Sequence, residues 1–262
     1  MTMTSARHSR VRSEKSGLLH ETWEIVKTIA IALLVALVLR VFLFQPFTIP
    51  SASMEPTLLE GDYIIVSKFA YGYSRHSAPF SPPVMEGRVL YTPPERGDIV
   101  VFKLPRDGRT DYIKRVVGMP GDRVQVREGT VYINGRALRR TAMGQGVAQS
   151  PFGFERPVDR YRETLADGAS YLTHDLGPDG EVDDTDVYTV PAGHFFMMGD
   201  NRDNSVDSRY PPELGGVGFV PAENLVGKAE MILFSWNAEA SLFKPWTWFT
   251  EVRLGRFFTH LQ

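Results

Sequence analysis

Asp98-Ile99-Val100-Val101-Phe102 and Tyr112-Ile113-Lys114-Arg115-Val116-Val117 are two short runs dominated by β-branched and aromatic residues, and they decide the fold class. Such side chains are stiff at χ1 and suit a pleated strand better than a helix of this length. Turn signals bound both runs: Arg96-Gly97 before the first, and Met119-Pro120-Gly121-Asp122 after the second. The same grammar repeats outward. Tyr63-Ile64-Ile65-Val66 follows Glu60-Gly61-Asp62, and Arg123-Val124-Gln125-Val126 and Thr130-Val131-Tyr132-Ile133 run into Asn134-Gly135, a hairpin dipeptide. The expected fold is mainly β: an antiparallel barrel or sandwich with an inserted loop-rich second domain, preceded by one transmembrane helix.

Composition narrows the chemistry. The chain has 262 residues, 43% of them hydrophobic and 23% charged, which excludes a disordered or collagenous protein. The absence of cysteine removes disulfides, thiolate zinc sites, iron–sulfur clusters and cysteine nucleophiles, and leaves the redox compartment open. The net charge of −2 averages a basic N-terminus, an uncharged span and an acidic middle.

Residues 28–39 carry no charge, and the wider stretch 23–44 would span about 33 Å as a helix, matching a bilayer core. It is apolar on every face, which disfavours a buried core helix. Ser51-Ala52-Ser53 resembles a small-x-small cleavage site, but it lies far from the apolar core, so a retained anchor is preferred to a cleaved signal peptide. Arg7, Arg10, Arg12 and Lys15 precede the span and Lys27 lies at its start, whereas none occurs between Arg40 and Lys68, which predicts a cytoplasmic N-terminus and an external remainder.

The expected organisation is a leader (1–22), an anchor (23–44), a catalytic β domain (45–122 and 191–235), an inserted accessory domain (123–190) and an aromatic-rich tail (236–262). Pro79, Pro82, Pro83, Pro93 and Pro94 mark an extended excursion or β-ribbon. Between 138 and 190, Gly144, Gly146, Pro151, Gly153 and Pro157 lead into an acidic stretch that reads as a solvated, loop-rich insertion. Trp236, Trp246 and Trp248, with Phe234, Phe243, Phe249, Phe257 and Phe258, give the tail an interfacial character, a final strand with inward aromatics being the alternative.

No His-Glu-x-x-His occurs, and the acidic run beginning at Asp200 lacks the glycine and terminal glutamate of a calcium loop, so no metal is expected. His76 and His174 fall in the excursion and the insertion, and His194 precedes a strand-like run, so a serine nucleophile would need a lysine base. The chain has only seven lysines, and Lys103 and Lys114 sit in apolar strand runs. Burial lowers a lysine pKa, and moving it from about 10.4 to near 8.4 costs about 3 kcal/mol. Pattern alone favours a solvent-facing strand lysine for Lys114, and a helix cap before Met54-Glu55-Pro56 for Ser53.

Pro50-Ser51-Ala52-Ser53-Met54-Glu55-Pro56-Thr57-Leu58, the Asp98 and Tyr112 runs with their Gly-Asp turns, and Gly199-Asp200-Asn201-Arg202-Asp203-Asn204-Ser205-Val206-Asp207-Ser208-Arg209-Tyr210 together resemble the bacterial type I signal peptidases, in the family's order. The resemblance implies Ser53 as nucleophile and Lys114 as general base, so that Lys103 drops out. It implies that Ser51 joins the Ser53 amide in an oxyanion hole, that Ser205 hydrogen-bonds and orients the lysine, and that Asp207 and Arg209 form a supporting ion pair. Tyr112 and Arg115 flank the base as structural residues. The chain departs from some members in having one anchor rather than two and no disulfide.

The implied reaction is acyl transfer: neutral Lys114 deprotonates Ser53, which attacks the carbonyl after a small-x-small segment, and water releases the acyl-enzyme. An extended substrate would pair with residues 45–50, where Phe47, Ile49 and Pro50 are candidate substrate contacts, core packing being the alternative for Phe47 and Ile49. The expected partners are preprotein signal peptides and the lipid bilayer, with no nucleic acid and no cofactor, and the chain is expected to act as a monomer in a bacterial cytoplasmic membrane. Two other readings stay open: a self-cleaving serine–lysine peptidase, and a non-catalytic anchored β-domain that binds exported chains.

Overall fold

The computed structural model describes residues 5–78, 81–83, 85–149, 155–177, 180–237 and 250–261. Pro79, Pro151, Gly153, Phe243, Trp246, Trp248 and Phe249 lie outside them. The chain begins with a long helix, α1 (Ser5–Phe42), whose segment His20–Phe42 is long and apolar enough to cross a membrane. Leu33, Leu34, Leu37 and their neighbours are exposed, with nothing packed around them, so a core helix is excluded. A single residue, Leu43, separates α1 from the first strand.

Strands β1 (Phe44–Thr48), β2 (Asp62–Ser67), β3 (Ile99–Lys103) and β4 (Asp111–Gly118) come first. Next are β5 (Arg123–Arg127), β6 (Thr130–Ile133), β7 (Arg136–Ala137), β8 (Arg139–Gln149), β9 (Glu155–Thr164), β10 (Ser170–Asp175) and β11 (Tyr188–Thr189). Last come β12 (His194–Met198), β13 (Val220–Pro221), β14 (Leu225–Ser235) and β15 (Thr259–His260). The main sheet runs β1-β2-β14-β3-β4-β12-β13, with β15 on β14, and every pairing is antiparallel. Pro46, which has no amide to donate, is tolerated because β1 is the sheet's edge. Register shifts along β14 insert extra residues and sharpen the local twist, which curls the sheet.

Burial on β3 and β4 is nearly continuous rather than alternating. Both faces are covered: Ile99, Val101 and Ile113 pack with Ile49, Met54, Leu58 and Ile64, whereas Val100, Phe102 and Val116 pack with Phe195, Met197 and Leu225. Two smaller sheets, β11-β5-β6-β7 and β10-β9-β8, fill residues 123–189, and Val124, Val126 and Val131 of the first pack against Val117, Phe196 and Met198 of the main sheet. Asn134 and Gly135 both adopt positive φ between β6 and β7, the hairpin their sequence signals.

The insertion carries more regular structure than its composition suggests. Its charged residues sit on long strands and find partners there, such as Arg140 with Asp175. The proline-rich excursion contains no strand among the described residues, only an isolated bridge between Tyr73 and Val89. In the tail, Phe234 and Trp236 pack on Tyr63, while Phe258 remains exposed.

Candidate active site

Ser53 lies on a single 3-10 turn (Ala52–Met54) just beyond β1, held by Met54 in the core beneath it. Two bonds from Asn201 clamp this turn: its side-chain amide donates to the Ala52 carbonyl at 3.0 Å, and its backbone amide to the Ser53 carbonyl at 3.2 Å. Lys114 arrives from β4, paired with Val100 of β3. Its Nζ donates to Ser53 Oγ at 2.7 Å and to the Ile113 carbonyl at 2.9 Å. Ser53 is 9% exposed and Lys114 only 3%.

Burial lowers the Lys114 pKa to about 8; Asp207 and Asp200 oppose that shift, and Arg209 adds to it. A large fraction of the side chain is therefore neutral near pH 8 and can accept a proton from the hydroxyl it touches. Ser51 Oγ is 3.5 Å from Ser53 Oγ, on the exposed side of the pair. The pair and Ser51 bring together a hydroxyl able to act as a nucleophile, an amine able to act as a base and an adjacent hydroxyl, the parts an acyl-transfer site needs.

Behind it lie three buried bidentate ion pairs. Arg209 grips Asp207 at 2.9 and 2.8 Å, Arg115 grips Asp200 at 2.8 and 2.7 Å, and Arg202 grips Glu163 of β9 at 2.5 Å twice. Burial alone would raise the Asp207 pKa, but the Arg209 charge, with hydrogen bonds from Arg209 and the Gly199 amide, outweighs it and holds the carboxyl below its usual range. Asp200 also accepts from Thr57 at 2.6 Å, and the Arg115 guanidinium stacks on Tyr171 at 4.1 Å. The segment following Gly199 thus ties the Ser53 turn to both the main sheet and the insertion.

Gly199 is required by close approach: a Cβ there would lie 2.2 Å from Ser205 Oγ and 2.5 Å from the Ser53 carbonyl oxygen. Ser205 differs from the expectation. Its buried Oγ has no hydrogen-bond partner among the described residues, so the bond to Lys114 implied by the resemblance is not formed. The lysine takes the Ile113 carbonyl instead. Ile49 is 2% exposed and sits in the core, Phe47 packs against that core, and Pro50 is exposed. Lys103 points elsewhere, bonding Asp111 at 2.9 Å and the Arg109 carbonyl at 2.8 Å.

Sequence reasoning missed Asn201, Thr57, Asp200, Arg202, Glu163 and Tyr171 as parts of the site. The pairing of Arg202 with Glu163, from a segment read as loop, had no local signal. Among the described residues no group of His, Asp and Glu is arranged to hold a metal ion.

A buried serine–lysine contact on a curled β-sheet behind an apolar helix defines a class, a membrane-tethered peptidase, and comparison with known proteins agrees. Residues 22–236 match the family model described as signal peptidase, peptidase S26, and the chain belongs to that family. It is 39% identical to signal peptidase I of Rickettsia canadensis over 252 residues, covering 90% of this chain and 92% of that one. Signal peptidase I of Rickettsia prowazekii is 39% identical over 251 residues, covering 88% and 91%. A crystal structure of a signal peptidase I from Enterococcus faecalis aligns at 28% identity and a TM-score of 0.30, covering 52% of this chain and 97% of that one. The chain is accordingly an enzyme, a serine endopeptidase of the signal peptidase I type.

Proposed function

We propose that the protein removes signal peptides from exported preproteins by cutting after small-x-small segments, with Ser53 as nucleophile and Lys114 as general base. The observation that carries this reading is the 2.7 Å contact between a fully buried lysine and the serine hydroxyl. In the first step the Ser53 proton passes to neutral Lys114 as Oγ bonds to the scissile carbonyl carbon. Collapse of the tetrahedral intermediate expels the amine of the mature chain, which takes the proton back from Lys114. Water, deprotonated by the same lysine, then attacks the ester and frees the signal peptide with a carboxylate end. Ser51 Oγ and the Ser53 amide are the proposed donors to the oxyanion. Asp207 and Arg209 act as positioning residues, holding the Gly199 backbone against the Ser53 carbonyl.

The free edge of β1 supports the proposed substrate path, because an extended peptide can add there as a further strand. Phe47 and Pro50 are its nearest available side chains, and Ile49 supports them from the core. The catalytic unit is proposed as the main sheet, with residues 123–190 as an accessory domain. The proposed topology is single-pass, N-terminus cytoplasmic and sheet external, in the bacterial cytoplasmic membrane, acting as a monomer. Exposed Phe42, Phe44, Phe69 and Leu90 next to the helix end support contact with the bilayer surface, Phe44 and Phe69 lying edge to face at 5.5 Å.

Time-resolved cleavage of a model preprotein by wild type and Lys114→Ala tests the reading. Wild type should release mature protein while the variant releases none on the same timescale; equal rates would overturn the dyad. Protease protection of the external sheet in right-side-out vesicles would overturn the topology.

A further inference from the structure

A cavity of about 390 Å³ opens between the loop that follows Ser53 and the inserted sheet, within the range of about 300–1,000 Å³ common for ligand pockets. Its near wall includes Glu55 and Glu60, beginning two residues past the serine, and its far wall is built by β8, β9 and β10 with Val147, Arg160 and His174. The far wall carries polar groups that nothing among the described residues satisfies. His174 is 4% exposed, and its Nδ1 has no hydrogen-bond partner among the described residues. The buried Nε of Arg160 is equally unpartnered, and the guanidinium forms no ion pair among the described residues. Buried polar groups left in this way cost free energy, and a ligand that satisfies them recovers it.

The placement of these groups is specific. Arg160 sits directly across from His174 in the β9–β10 register. Gly146 of β8 leaves room for it, since a Cβ there would lie 2.5 Å from Arg160 Cδ. The His174 amide donates to the Asp200 carbonyl at 2.9 Å, and the next residue, Asn201, clamps the nucleophile turn. This wall is therefore connected to the reacting serine by one short run of hydrogen bonds.

A substrate that pairs along β1 occupies the side of Ser53 leading from the helix. The chain beyond the scissile bond continues past Ser53, and the loop at 55–60, which follows the serine directly, forms one wall of this cavity. We propose that the cavity is a mature-side subsite that takes a carboxylate side chain from one of the first residues after the cleaved bond, with Arg160 as its ion partner and His174 as its hydrogen-bond partner. The proposal rests on the reading that the chain cleaves preproteins. A lysine is the natural competitor, because Glu55 and Glu60 line the near wall. The carboxylate is favoured because Glu55 is 6% exposed and already engaged, and Arg253 adds a second guanidinium to the lining, whereas Arg160 has no ion partner among the described residues. Burial, and then the Arg160 charge, lower the His174 pKa to about 4, against the effect of Asp200, so the imidazole offers a neutral hydrogen-bonding group at physiological pH.

The test uses the full-length protein in detergent micelles and model preproteins in which each residue just after the bond is in turn Ala, Glu or Lys. At one position, Glu should raise kcat/KM over Ala by about fivefold, the upper range for one solvent-accessible ion pair. That Glu-to-Ala ratio should fall to about one in Arg160→Gln, persist in part in Arg160→Lys, and turn toward Lys in Arg160→Glu, by the same pairing of opposite charges. The two charged variants keep the test decisive should Arg160→Gln fold poorly. No position with a Glu preference, a preference that survives Arg160→Gln and Arg160→Glu, or a wild-type preference for Lys would each overturn the subsite. Cleavage of the all-Ala substrate by wild type separates the two levels: if that substrate is cut and the ratios are flat, only the subsite falls, whereas if it is not cut the peptidase reading falls with it.

Discussion

Two buried lysines in this molecule look alike until their partners are compared. Lys68 and Lys114 are 2% and 3% exposed, and burial lowers the pKa of each to about 8. Lys68 is lowered further by Arg40 and Lys103, and its Nζ donates to the Ser77 carbonyl, an acceptor with no proton to give. Lys114 meets a serine hydroxyl at 2.7 Å, with Asp207 and Asp200 in its field. Desolvation alone therefore does not define a catalytic base. On the proposed mechanism, what sets Lys114 apart is a proton donor within reach, on a turn that its neighbours hold in place.

The sharpest way to break this comparison is to remove each lysine. Ser53→Ala and Lys114→Met should each lower preprotein cleavage by about 10⁴-fold or more, as for the members of other nucleophile–base pairs. Lys68→Met should stay within about tenfold of wild type in the same assay, because its loss removes one bond to a carbonyl and no reacting group. Comparable losses for both lysines would dissolve the distinction. Ser51→Ala comes next, with kcat down by about 10²-fold and KM little changed, if its hydroxyl stabilises the oxyanion rather than the ground state.

A smaller effect follows from titration. The base must be neutral, so kcat/KM should rise with pH and level off above about 8, falling about tenfold per pH unit below that. The Lys68→Met variant should keep this profile; a midpoint that moves with Lys68 would assign the titration to the wrong lysine. The last prediction concerns stability. Folded Lys114 has a lower pKa than the unfolded chain, so the unfolded state binds more protons between about 8 and 10.5, and wild-type stability rises with pH across that window. Lys114→Met should therefore stabilise the fold by about 3 kcal/mol below pH 8, with the gain shrinking toward pH 10.5, as denaturant titrations at several pH values can measure.

The five strands expected from β-branched runs and Gly-Asp or Asn-Gly turns all form, because local propensity and burial agree there. The central strand β14 was not legible, because Lys228 and Glu230 interrupt its apolar run. Both charges are satisfied across the sheet, Lys228 by Asp98 at 2.6 Å and Glu230 by Ser67. Strands β8, β9 and β10 of the insertion were hidden for the same reason. Within the site, the motif at 199–210 displayed its residues but not their pairings: Arg115 reaches Asp200 across 85 positions and Arg202 reaches Glu163 across 39, separations at which spacing carries no information. Ser205 is the converse, a residue whose place was legible and whose expected bond is not made.

The junction between α1 and β1 has a mechanical consequence. Only Leu43 intervenes, and β1 is fastened to β2 along its whole length, so the serine cannot swing on a tether. On the proposed topology its height above the lipid is fixed by the fold, and the enzyme works as a gauge. A preprotein would then be cut wherever its own apolar segment, seated in the same bilayer, presents a small residue at that level, so the depth of the substrate would select the bond before any side chain is read.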